Sequence, residues 1–151
     1  MRRLKEKEII GADISWYACD KEGSLGCFSS FLSARLPAVV AFDAEGIGYL
    51  DEFFEQCPVI GEAIPSHQRA STEAEECFDD PARRGLYVYD GPGSHLGLSY
   101  HLESRPTVAL KLQDLDCVRA ISLVGGVIFP GLFKYQKTIK VCEFGPLTSG
   151  W

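Results

Sequence analysis

The chain predicts an α+β fold: a mainly antiparallel sheet of about six strands, with two helices in the middle of the chain. Three observations carry this. Short segments near both ends are rich in β-branched and aromatic residues and alternate apolar with polar side chains. Two stretches between them instead repeat apolar residues every three or four positions, the mark of a one-sided helix. Short turns join most successive strands, which favours antiparallel neighbours. The 151 residues, 46% apolar and 24% charged, suit a single globular domain over 1–151.

Taken in order, residues 2–8 are a charged leader, expected to form one frayed helical turn at most. The stretch "ISWYACDKEGSLGCFSS", Ile14 to Ser30, reads as strands over 14–20 and 25–30, with Gly23 at a left-handed turn position. Its register sets where the cysteines point. With a three-residue turn, Tyr17 faces Cys27, Cys19 faces Leu25, and both cysteines share a face opposite Trp16 and Phe28. With a two-residue turn the cysteines part. "LPAVVAF", 36–42, is a short apolar run that favours a buried strand, though its periodicity fits a helix as well.

Residues 44–57 predict a helix with Ile47, Leu50, Phe53, Phe54 and Cys57 inward and Asp51, Glu52 and Glu55 outward, ended by Pro58. A second helix is expected within 67–79. Thr72 and Glu75 have capping-box spacing, and Ala70, Ala74, Cys77 and Phe78 form its inward stripe. Asp80-Pro81 begins one more turn, and Gly85 stops it. Strands follow at 85–90, 96–102, 107–112 and 137–144. Residues 114–124 read equally as helix or strand, and "VGGVIFPGLF" reads as a buried loop.

Charge is unevenly spread. The net charge is −6, yet the segment from Asp43 to Asp80 holds eleven acids against one base, Arg69. Such a block disfavours nucleic acid, whose phosphates need a basic surface. It favours a basic protein partner. Asp51, Glu52 and Glu55, with Glu73 and Glu76 on the second helix, are the candidate partner-binding residues. No apolar run reaches the roughly 18–20 residues of a membrane-spanning helix. No signal-peptide pattern follows the basic start. A cytoplasmic protein without a membrane partner is therefore expected.

The six cysteines lack the paired spacing of a zinc site, so they are expected to fill the core. The turn Asp20-Lys21-Glu22-Gly23-Ser24 lacks the further oxygen ligands of a calcium loop and reads as a solvent-exposed acidic turn. "YDGPGSHLG", 89–97, matches neither a dinucleotide fingerprint nor a P-loop and reads as a hairpin loop. Cys77 or Cys117 with His67, His95 or His101 supplies the residue types of a nucleophilic site, but no local signature joins them. Neither Gly-x-Ser-x-Gly nor His-Glu-x-x-His occurs. No metal or cofactor is expected, and the reading leans away from an enzyme.

"DISWYACDKEGSLGCFSS", the Leu36-Pro37 segment leading into an acidic helix, and "RRGLYVYD" together resemble a group of small bacterial cytosolic proteins. Some of these are similar to immunity proteins of polymorphic-toxin systems, which bind and block a toxin. The resemblance covers 13–57 and 83–112, lacks the Pro- and Gly-bearing motif of the larger yeast-cell-wall-regulator-like immunity group, and transfers no functional residue. It implies a binding protein; together with the charge distribution, the expectation is a non-enzymatic interaction module whose acidic helix face meets a basic partner. The alternative is a small-molecule-binding or hydrolytic domain with a pocket lined by Tyr87, Tyr89, His95, Tyr100 and His101. A homodimer formed through a sheet edge is a third expectation.

Overall fold

The computed structural model describes residues 2, 4, 14–30, 35–91 and 98–147. It is α+β. The strands are β1 (Ser15–Cys19), β2 (Leu25–Ser29), β3 (Ala63–Pro65), β4 (Tyr87–Asp90), β5 (Ser99–Pro106) and β6 (Thr138–Lys140). The helices are α1 (Ala38–Ala41), α2 (Ala44–Glu55), α3 (Thr72–Arg83) and α4 (Val118–Gly125). One sheet runs β1-β2-β4-β5. The far side of β5 pairs with β6 along Ser99–His101 and with β3 along Ser104–Pro106.

The sheet is mixed rather than mainly antiparallel, because β2 and β4 pair in parallel. Short turns had suggested otherwise. The long segment between these strands carries α1, α2, β3 and α3, which is the kind of crossover a parallel pair needs.

The hairpin adopts the three-residue turn. Asp20 N–H donates to Ser24 O and Gly23 N–H to Asp20 O, with Gly23 at φ 83°. Tyr17 therefore faces Cys27 and Cys19 faces Leu25. Asp20 is buried, not a solvent-exposed turn acid. Its Oδ1 accepts from Glu22 and Ser24 N–H, and its Oδ2 from Phe133 N–H at 2.9 Å. The carboxylate thereby ties the turn to the far end of the chain.

Strands β1, β2 and β4 are buried on both faces. Period-two alternation sends Trp16, Phe28 and Tyr89 to one side, where they form a cross-strand row. Trp16 stacks on Phe28 at 4.3 Å, and Phe28 on Tyr89 at 5.0 Å. Tyr100, Phe129, Phe133, Ile139 and Phe144 complete this aromatic core. The other side takes Tyr17, Cys19, Leu25, Cys27 and Val88 beneath Leu50 and Phe54 of α2, Ala82 of α3, and Ala120 and Val124 of α4.

Several local readings change. Residues 38–41 form a helical turn, which settles the helix-or-strand ambiguity of this run against the favoured strand. α3 is capped by Ser71, whose side chain accepts from Ala74 N–H, and it continues through Pro81 to Arg83. Its buried positions are Asp79 and Ala82, while Cys77 is exposed. The core-filling expectation for cysteine therefore holds for Cys19 and Cys27 and fails for Cys77 and Cys142. Residues 107–112 form no strand. They cross the end of β2 with a single bridge, Ser24 to Lys111. The 114–124 stretch contains α4, with Ala120 and Val124 buried one turn apart. The last strand stops at Lys140, whose N–H is taken by the Glu143 carboxylate at 3.0 Å as the chain turns into a 3-10 helix.

Candidate functional site

The sheet face beneath α2 and α3 is graded in polarity by register alone. Moving along the strands, same-face rows read Cys19 and Leu25, then Tyr17, Cys27 and Val88, then Ser15, Ser29 and Asp90. Helix α4 packs on β1 and α2 on that same strand, which buries the apolar rows. The polar row stays at the open end and floors a groove of about 660 Å³ between α2 and α3.

The groove is acidic. α2 contributes Asp51 and Glu55, α3 contributes Glu73, Glu76 and Asp80, and β4 contributes Asp90. Phe54, Phe78 and Leu86 supply apolar wall between them. Arg84 is the one basic side chain in this lining. Its Nη1 donates to the backbone carbonyls of Glu55 and Cys57, so it caps the end of α2. Asp80 is held by Arg83, which also binds Glu75.

Asp51 accepts a hydrogen bond from the Tyr17 hydroxyl at 2.9 Å. Burial raises its pKa to about 6, with Glu55 adding to the rise and the Tyr17 hydrogen bond opposing it. The Tyr17 hydroxyl is pushed far above its ordinary range, mainly by burial, so it acts as a donor at any physiological pH.

Four of the five expected partner-binding residues, Asp51, Glu55, Glu73 and Glu76, thus line one groove. Glu52 is exposed outside this lining, about 100° around the helix from Asp51. Asp51 is not on an outward face, but is half-buried against β1. Tyr17, Asp80, Arg84 and Asp90 were not singled out by sequence. Alternation of Tyr17 with its neighbours was the one available signal.

The tyrosines expected around a second pocket are core residues. Tyr89 and Tyr100 are fully buried, and Tyr87 is nearly so. The Tyr89 hydroxyl donates to Gln136 O at 2.7 Å, and the Tyr100 hydroxyl to Arg35 O at 2.9 Å. His101 is exposed on β5, its Nδ1 3.3 Å from Thr138 Oγ1. His95 lies outside the described residues. The Cys117 thiol is met by Tyr49 at 2.9 Å, not by a histidine. That hydrogen bond, with backbone N–H groups of Ala120 and Arg119, holds the thiol below its ordinary pKa. Among the described residues no three His, Cys, Asp or Glu side chains are grouped to hold a metal ion. No described helix is long and apolar enough to cross a membrane.

No family model, no curated protein and no solved structure matches this chain.

Proposed function

We propose that the chain is a non-enzymatic, immunity-like interaction protein that captures a basic protein partner in the groove between α2 and α3. One observation carries this reading. Acids far apart in sequence converge on one concave surface, and its single arginine is spent on backbone carbonyls. Crowded carboxylates repel one another, and an incoming Lys or Arg side chain relieves that repulsion. The apolar patches at Phe54 and Phe78 suit the methylene stems of such side chains.

The test uses a deca-lysine peptide as probe, followed by calorimetry across ionic strength. Reversing Glu73 and Glu76 to Lys should weaken binding roughly tenfold or more and flatten its salt dependence. Glu52→Lys, the same charge change outside the groove, should do far less. Equal losses from the two variants would mean that net charge, not the groove, attracts the peptide.

A further inference from the structure

A second cavity, of about 300 Å³, opens against the neighbouring face of α2, at Gly46, Ile47 and Leu50. It is lined both by Trp16, Val40 and Val127 of the aromatic core and by Leu50 and Leu123 from the other sheet face. A cavity bounded by residues from both faces must straddle the edge of the sheet. The edge strand here is β1.

The backbone of β1 gives this edge its chemistry. The pairs Ile14–Ser30 and Asp20–Ser24 are hydrogen-bonded across the hairpin, so even-numbered residues spend their backbone groups on β2. Odd-numbered residues present theirs outward. Cys19 uses both, taking Phe129 N–H and donating to Val127 O. Tyr17 is the next outward position, and among the described residues its N–H and C=O find no backbone partner. A buried strand residue with both groups unspent among the described residues is unusual, because such groups are nearly always paired.

We infer that this cavity is a binding site for a compact, flat, neutral heteroaromatic molecule whose ring carries a hydrogen-bond donor beside an acceptor, which pair with the Tyr17 C=O and N–H. The volume sets the size. An apolar cavity of roughly 150 Å³ holds one benzene ring, so twice that volume suits two fused rings. The walls set the polarity, since Val39, Val40, Ile47, Leu50 and Leu123 offer no hydrogen bond. Asp43 sets the charge. Its Oδ1 caps Gly46 N–H at 2.9 Å, and the carboxylate at the lining disfavours an anion. The two sites share Tyr17: its hydroxyl serves the acidic groove through Asp51, while the proposed ligand uses its backbone N–H and C=O.

The experiment titrates the full chain with 2-quinolone, a fused bicyclic lactam, and follows backbone amides by NMR together with calorimetry. The expected result is saturable binding with a large shift of the Tyr17 amide. N-methyl-2-quinolone keeps the shape and loses the donor, and should bind roughly tenfold more weakly or worse, since a site built around a hydrogen bond rejects the analogue that lacks it. Gly126→Leu should abolish binding. Gly126 lines the cavity at φ −82°, and a Cβ there would make only ordinary contacts at 3.5 and 3.7 Å. Ile47→Trp provides an independent filling of the same space. No saturable binding, equal binding of the N-methyl analogue, or shifts that spare Tyr17 would each overturn the assignment.

Discussion

Replacing Asp51 with Asn should remove a pH dependence of folding that this one group creates. The carboxyl lies under α2 with Tyr17 of β1 and Glu55 of its own helix as its nearest ionisable partners, and Cys27, Glu73, Glu76, Asp80, Arg84 and Asp90 complete the groove around it. Its pKa rises from an ordinary 3.8 to about 6. A raised carboxyl pKa means that the folded state binds the proton more tightly than the unfolded one. The contribution is therefore complete below about pH 4 and is lost as the pH climbs through about 6. Two pKa units would correspond to about 3 kcal/mol, and water reaching the groove reduces this to about 1–2 kcal/mol. Asn keeps an oxygen for the Tyr17 hydroxyl and cannot ionise. Urea unfolding at pH 4, 5, 6 and 7 should show the variant matching the parent at the acid end and exceeding it by about 1–2 kcal/mol at pH 7. Stability curves that run parallel over this range would refute the burial argument. The same linkage bears on the proposed partner. A cation in the groove favours the carboxylate, so capture should tighten between pH 5 and 7 and release a proton.

Other outcomes test other parts of the fold. Arg69 makes paired hydrogen bonds to Asp79 at 3.0 and 2.7 Å and a third to Glu103 at 3.2 Å, with both carboxylates largely buried. Arg69→Ala should cost about 3–5 kcal/mol in urea unfolding, because it strands the Asp79 charge. Phe28→Ala, which empties the middle of the aromatic stack, should also cost about 3–5 kcal/mol by thermal melting. Gly85 sits at φ 100°, and a Cβ there would lie 2.6 Å from the Leu110 backbone nitrogen. Gly85→Ala should lose at least about 1–3 kcal/mol. Gly48→Ala, on the exposed side of α2 with nothing within 4 Å, should instead gain about 0.5–1 kcal/mol.

The hairpin was legible from its alternation and its glycine, but its register was open between two turn lengths until the Asp20–Ser24 pairing fixed it, placing Tyr17 and Cys27 on the groove floor. The acidic helices were legible as helices, since Leu50 and Phe54 repeat at a helical spacing. The convergence of their acids was not, because it depends on where α3 lies relative to α2. Asp20 was misread for a similar reason: its third hydrogen-bond donor, Phe133, is far away in the chain. β3 is three residues long and ends in proline, too short for any periodic signal. Residues 107–112 alternate as a strand would, yet Pro106 and the crossing of β2 leave them one bridge. Arg83 and Arg84 stand just beyond the acidic block, so a charge count along the chain missed that both reach back into it.

The parallel pairing of β2 with β4 also has a kinetic meaning. Both walls of the acidic groove lie on the stretch that leaves β2 and returns as β4. The hairpin can close early, since its contacts are local, but the loop ending at Tyr87 must close before α2 and α3 have a common floor. Assembly of the groove is therefore tied to the highest-separation contact in the centre of the sheet. During synthesis, Phe28 has no Tyr89 to stack on until β4 has left the ribosome, and the floor of the acidic groove is completed by that strand rather than by the helices that carry the charge.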